Sequence, residues 1–183
     1  MKPSDCTLYS GAAAGAEAAF GVAAERHGVA EVNFTFEGHD DARTRGRRVL
    51  TPKELERGNV SLAYVGHLMH RVYKDTPLFR RLLASIWHQI NSGDEVFCIG
   101  WIHDDGTVKG GTGWGAELAK LFGKPLHVYD LTDKKWYWWR DTSWQPDGDP
   151  VIQKAAFCGT GTRLIDVDGR DAIDDLFARS FKS

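Results

Sequence analysis

No two cysteines stand at CxxC spacing. The three in the chain, Cys6, Cys98 and Cys158, are far apart and odd in number. A zinc ribbon and a thioredoxin-type redox motif are thereby excluded. All three lie in or beside apolar, strand-like runs and read as small buried hydrophobes of a reducing compartment. No apolar run approaches the roughly 20 residues that span a bilayer, so no membrane contact is expected. The opening stretch MKPSDCTLYSG lacks the apolar core of a secretory signal, and a cytoplasmic location is expected. Net charge is −2, which gives no global pull toward nucleic acid, and none is expected as a partner. GxGxxG is absent, as is GxxxxGK followed by Ser or Thr. Hydride transfer from a nicotinamide and P-loop phosphoryl transfer are both disfavoured. His67 and His70 stand three apart on a predicted helix, but no third ligand is evident, so neither metal nor cofactor is expected.

What is present is an ordinary globular composition, 42% apolar and 26% charged over 183 residues. It suits one domain spanning residues 1–183. Thr7 to Ser10 reads as a first strand, the Ala-rich stretch Gly15 to His27 as a helix stopped by Gly28, and Val29 to Phe36 as a second strand. Glu37 to Arg48 turns polar and basic and reads as a loop. Thr51-Pro52 and Thr76-Pro77 are helix starts, with Thr as cap and Pro in the first turn. The first of these helices carries a break at Gly58 and runs to about Tyr73. EVFCIG, Glu95 to Gly100, is apolar without alternation, as in a central parallel strand covered on both faces. Pro125 to Asp130 follows as a buried strand, Trp136 to Trp139 as an edge strand and Ala155 to Cys158 as the last strand. A closing helix is expected from near Gly169. Strands alternating with helices predict an α/β fold of Rossmann-like type, a mainly parallel sheet with helices on both faces.

Three strands end in small residues: SGAAAGAE (Ser10 to Glu17), KGGTGWGAE (Lys109 to Glu117) and CGTGTR (Cys158 to Arg163). Ligands of open α/β sheets sit outside the carboxyl ends of the strands. Glycine there lets backbone N–H groups approach a phosphate, and a following helix N-terminus favours an anion. Ser10, Gly11, Gly15, Gly110, Gly111, Thr112 and Gly113 are therefore candidate phosphate-binding residues. Any one such turn also has a purely steric explanation.

GGTGWGAE, Gly110 to Glu117, resembles the GGxGTxxE signature of LOG-type nucleotide phosphoribohydrolases. These belong to a Rossmann-like superfamily that includes DprA-like and molybdenum-carrier-like proteins. Gly110, Gly111, Gly113 and Glu117 match. Trp114 stands where that family has Thr, and Lys109 where it has Pro. LYSGAAAG looks like the superfamily's first phosphate-side turn. Met69, His70 and Arg71 echo its MHxRK motif but lie much further upstream. DDGTVKGGTGWGAELAKLFGKPLHVYD is also similar to the glutamate-bearing turn and helix of nucleoside 2-deoxyribosyltransferases. Both resemblances imply chemistry at an N-glycosidic bond of a small-molecule nucleotide.

Such cleavage places positive charge on the sugar and negative charge on the departing base, and a carboxylate can stabilise the first or orient a water. The resemblance makes Glu117 the catalytic candidate. If the helix starts near Gly113, Glu117 falls in its first or second turn; its other use is to complement the helix dipole. Asp104 and Asp105, just beyond EVFCIG, either hold ribose hydroxyls, with Asp104 the second catalytic candidate, or form a solvated turn. Arg71, Arg80, Arg81 and Arg163 can each fork onto a phosphate. Arg163 ranks first because it follows a glycine turn, and Arg71 follows from the motif. The run Arg43 to Arg48 is a lid over an anion or a solvated loop. Trp136, Trp138, Trp139 and Trp144 stack on a base or form a subunit contact, giving a homodimer or higher oligomer. Three functions stay open: hydrolysis of a nucleoside monophosphate to base and sugar phosphate, non-catalytic sensing or sequestration of a nucleotide-derived signal, and deoxyribosyl transfer. Trp114 is what keeps the second in view, since it would crowd the phosphate turn.

Overall fold

The computed structural model describes residues 1–181. It is an α/β fold of Rossmann-like type. After a 3-10 turn at Pro3–Asp5, the chain runs β1 (Thr7–Gly11), α1 (Ala16–His27), β2 (Ala30–Thr35), β3 (Arg47–Val49), α2 (Pro52–Arg57), α3 (Leu62–Leu68) and α4 (Pro77–Ser92). It continues through β4 (Glu95–Gly100), α5 (Gly110–Leu121), β5 (Leu126–Asp130), β6 (Lys135–Arg140), β7 (Ser143–Asp147), β8 (Ala156–Gly161) and α6 (Val167–Ser180). The strands form one eight-stranded sheet in the order β3-β2-β1-β8-β4-β5-β6-β7. The first six in that order are parallel. The hairpin β6–β7 adds two antiparallel strands at one edge.

Local chemistry accounts for most boundaries. Thr51 and Glu54 form a capping box around Pro52, and the Thr76 hydroxyl accepts from the Phe79 amide ahead of Pro77. Gly28 closes α1 in the left-handed region, φ +74°. Asp166 caps α6, so that helix begins at Val167, slightly before the expected start near Gly169. Two strands escape the sequence pattern. β3 is RRV, exposed at all three positions, and it reaches the edge by pairing Asn33 with Arg47. β7 contains Pro146, which is tolerated because that strand is the outer edge. Trp136–Trp139 therefore lie one strand in from the edge.

Alternate residues of β4 feed two cores. Phe97 and Ile99 join Leu8, Phe20, Phe157 and Phe177 under α1 and α6. Val96 and Cys98 join Ile86, Ile90, Trp114 and Val128 under α4 and α5. Full burial of a Phe such as Phe177 stabilises by about 1.5–3 kcal/mol. The three thiols are free and buried. Burial pushes Cys98 up to about 12 and raises Cys6 and Cys158 as well, so all three behave as apolar filler.

The antiparallel hairpin is pinned by an imidazole. His127 of β5 lies between the rings of Phe97 and Trp138, at 4.9 and 6.4 Å. Its Nδ1 is 2.6 Å from Asp147 of β7, and its Nε2 is 3.7 Å from Glu95 of β4. Burial opposes the charged ring, but Asp147 and Glu95 outweigh it and raise its pKa above the usual 6.5. A raised folded pKa stabilises fully below the unfolded value and is lost as pH rises through the folded one. Chemical denaturation should therefore show stability falling from pH 6.5 upward, a slope that His127→Gln flattens. An unchanged slope in that variant would remove the imidazole from the account.

Candidate functional site

Because β8, the last strand in the chain, inserts between β1 and β4, the carboxyl ends of these three strands stand side by side. From β1 the chain leaves through α1 toward β2; from β4 it leaves through α5 toward β5. The two helices lie on opposite faces of the sheet. This is the switch point at which open α/β sheets form a crevice. A cleft of about 250 Å³ opens there, lined by Ala13 and Glu17 after β1, by Lys109 to Thr112 at the start of α5, and by Thr160 to Leu164 at the end of β8. All three glycine turns thus contribute to one site.

The first and third turns are stitched together. The Ala16 amide donates to the Thr162 carbonyl at 2.9 Å, and the Thr162 amide to the Ile99 carbonyl at 2.9 Å. Gly15 has φ +91°, and a Cβ there would stand 2.5 Å from Arg163 Cα and from the Thr162 carbonyl. Ser10 is buried and donates to the Gly159 carbonyl at 2.5 Å, so it ties β1 to β8. Gly11 leaves room for a carboxylate, since its Cβ would meet Glu17 Oε2 at 2.2 Å. Ser10, Gly11 and Gly15 shape the site without lining the cleft.

The second turn supplies the bare donors. α5 begins at Gly110, φ +71°, and no side chain caps it. The first N–H groups of a helix have no partner within it and carry partial positive charge. Gly110, Gly111 and Thr112 bring them to the cleft wall. Lys109 and Arg163 are the basic residues of the lining. Lys109 Nζ rests 4.8 Å above the ring of Trp101, which also lines the cleft. Gly113 is a packing residue: a Cβ there would lie 2.0 Å from the Val108 carbonyl and 2.2 Å from Met69.

The carboxylate in this cleft is Glu17. It is 7% exposed. Its Oε2 accepts from the Ala13 amide at 3.1 Å and its Oε1 from the Thr160 hydroxyl at 3.2 Å. Burial pushes its pKa up from the usual 4.5, against the opposing pull of the Ala13 amide, His39, Thr160 and Gln89. A carboxyl that keeps its proton more readily than usual, in a cleft with uncapped helix N–H groups, is suited to acid–base work. The sequence carried a signal for it. Glu17 is the one charged side chain in AAAGAEAAF, a run whose small apolar residues pack against the sheet.

Other expected site residues lie elsewhere. Glu117 does not reach the cleft. With α5 starting at Gly110 it falls in the third turn, about 10 Å along the axis from the first residue. There it pairs with Lys120 at 2.7 Å, and that ammonium sits over Trp139 and Trp144. Asp104 and Asp105 belong to a tight turn at Gly106, φ +79°, in which Asp105 accepts from the Thr107 amide and hydroxyl. Arg71 donates to the Thr107 hydroxyl at 2.7 Å and so braces the segment leading into α5. Arg80 pairs with Asp75, and Arg81 donates to the Glu37 carbonyl. Arg43, Arg45, Arg47 and Arg48 are paired with Glu25, Glu31, Asp41 and Glu54, a fixed network in place of a lid. Trp138 stacks on His127, and Trp139 and Trp144 enclose Lys120, so none of them is a base platform for the cleft. Trp114 is 1% exposed within the core and does not crowd the glycine turn at the start of α5.

No family model, curated protein or solved structure matches the chain. The geometry of the cleft is therefore the ground for any reading of function. A wider groove of about 430 Å³ lies between the β6–β7 hairpin and α6. Its lining sets Asp147, Asp149, Asp168, Asp171 and Asp175 against Lys134, Lys135 and Arg179, with Lys134 paired to Asp168 and Arg179 to Asp149. Among the described residues, no helix is long and apolar enough to cross a membrane.

Proposed function

We propose that the cleft binds a nucleoside monophosphate or related nucleotide and hydrolyses its N-glycosidic bond, releasing base and sugar phosphate. The observation that carries this reading is the joining of an uncapped helix start and Arg163 to a buried Glu17 in one cleft. The phosphate is held by the first amides of α5 with Arg163 and Lys109. Trp101, over whose ring Lys109 rests, supplies an apolar wall of the same cleft. Glu17 gives its proton to the departing base, and as carboxylate it then faces the cationic sugar and orients the attacking water. The resemblance to LOG-type phosphoribohydrolases supports the phosphate side of this reading through Gly110 and Gly111. The carboxylate role moves from Glu117 to Glu17.

A second reading is a non-catalytic module that senses or sequesters the nucleotide. It is favoured by the hydrogen bonds that already occupy both Glu17 oxygens. Incubation with a panel of nucleotides, followed by chromatography for released base, separates the two. Exchange of the base for an added one would instead indicate deoxyribosyl transfer. Arg43, Arg47 and Arg48 are each paired with a carboxylate, and the free, buried thiols fit a cytoplasmic protein.

A further inference from the structure

Gln89 lies one turn beyond Ser85 and Ile86 on α4 and is 1% exposed. Ile86 lines the cleft and Gln89 does not, so its amide sits one helical turn deeper along α4. There it meets Glu17. The two side chains face each other across Gly11 of β1, where a Cβ would stand 2.7 Å from Gln89 Nε2 and 2.2 Å from Glu17 Oε2. Reached from that one point, the two atoms are at most 4.9 Å apart, the sum of those distances. The other polar atom of the amide, Oε1, is buried and has no partner among the described residues. Buried polar atoms almost always have a partner, so an orphan of this kind calls for an explanation. The groups placed against Glu17 are donors: the Ala13 amide at Oε2, the Thr160 hydroxyl at Oε1, and the Gln89 NH2 across Gly11. That set suits a carboxylate. A carboxyl that holds its proton is itself a donor and needs an acceptor. Gln89 carries one in Oε1. A half turn about its last torsion, which is broad and two-fold, exchanges that oxygen with the nitrogen.

We propose that Gln89 is the positioning residue of Glu17, presenting Oε1 to the protonated carboxyl and its NH2 to the carboxylate, with a half turn of the amide at each change of state. Gln89 does not line the cleft and acts through Glu17. The inference rests on Glu17 being the proton-handling group of the cleft. Gln89 gives up and takes up no proton. In the first step the Glu17 O–H bond breaks, the proton goes to the departing base, and the amide turns so that its NH2 donates to the new carboxylate. In the second the carboxylate takes a proton from the attacking water, whose oxygen joins the sugar, and the amide turns back. The buried carboxyl thus has a hydrogen-bond partner in both states, which burial would otherwise deny to one of them. Burial raises the Glu17 pKa, and the Ala13 amide, a charged His39, the Thr160 hydroxyl and the Gln89 amide pull against it. The titratable and charged groups around Glu17 are His39 of the loop after β2, which is bound to Asp41, the Cys158 thiol of β8, and Lys109 and Arg163 in the cleft.

The test is a pH titration of the whole ¹⁵N-labelled protein, following the side-chain NH2 of Gln89 by NMR. The Glu17 carboxyl is followed in parallel by its infrared band, identified by its loss in Glu17→Gln. One of the two Gln89 amide protons should move downfield at the Glu17 midpoint, because only the carboxylate accepts from it, and the movement should vanish in Glu17→Gln. Gln89→Met keeps the length of the side chain and removes both donor and acceptor. It should lower kcat for base release about tenfold and leave KM within about twofold, the pattern of a residue that acts on the reacting group and not on the bound nucleotide. Near-ultraviolet circular dichroism checks folding; if Gln89→Met does not fold, the wild-type titration decides alone. A Gln89 NH2 that stays unmoved while Glu17 titrates overturns the pairing, as does an unchanged kcat in folded Gln89→Met. A coupled titration in a protein that releases no base from any nucleotide overturns the glycosidase reading and leaves the pairing standing.

Discussion

Glu17→Gln should fold, bind nucleotide and release almost no base. Loss of one acid–base group costs on the order of 100- to 10,000-fold in rate. The shape of the cleft should survive, because the Gln carbonyl still accepts from the Ala13 amide and Thr160 can reverse its hydrogen bond. Stability should hold or rise at neutral pH. A carboxyl whose folded pKa is raised loses stability as pH climbs above the usual 4.5 through the raised value, and Gln has no such cost. Glu117→Gln gives the contrast. It removes a pairing with Lys120 outside the cleft and should leave turnover within a few-fold of wild type. Chromatographic measurement of base release from the two variants checks both. Normal turnover in Glu17→Gln, or its loss only in Glu117→Gln, would return the catalytic role to the residue that the sequence motif favours.

The second large effect is structural. Gly15→Ala should cost about 2 to 6 kcal/mol, the sum of a strained backbone conformation and an overpacked contact. Gly15 has φ +91°, and the added Cβ would press into the Arg163 backbone, which cannot swing aside as a side-chain end would. With total stability commonly about 5–15 kcal/mol, much of the folded margin would go. Gly111→Ala should behave oppositely. Its Cβ would find Ile86 at 3.7 Å and Leu82 at 3.9 Å, ordinary contacts. Alanine is favoured over glycine in a helix by up to about 1 kcal/mol, so stability should be kept. Gly111→Val, with its branched side chain at the cleft wall, should keep the fold and weaken nucleotide binding. Thermal denaturation of the three variants checks the order; equal losses in Gly15→Ala and Gly111→Ala would contradict the roles assigned to the two turns.

The sequence made the sheet type legible, because the unalternating EVFCIG and the caps at Thr51 and Thr76 report local chemistry that the fold keeps. β3 and β7 were not legible: an edge strand needs no apolar face, and one is RRV while the other contains a proline. The order of strands is not written locally either. Nothing in AFCGTG says that it enters between β1 and β4, yet that insertion brings the three turns together. The misplacement of Glu117 has a related cause. Glycine disfavours helix, so GGTG reads as a loop. Packing overrides that preference: α5 lies so close to its neighbours that a Cβ at Gly113 would stand 2.0 Å from the Val108 carbonyl, and one at Gly115 would stand 3.3 Å from Ile86. Three residues moved from loop to helix displace every later residue along the axis. Glu17 was passed over because its chemistry comes from burial, and burial follows from tertiary packing.

The central claim is that the three turns form one phosphate-holding cleft. Amide NMR of the ¹⁵N-labelled protein titrated with nucleoside monophosphates tests it most directly. The account predicts the largest shifts at Gly110, Gly111 and Thr112, accompanied by Thr160 to Arg163. Shifts confined to the β6–β7 hairpin and α6, or no shift with any nucleotide at millimolar concentration, would contradict it.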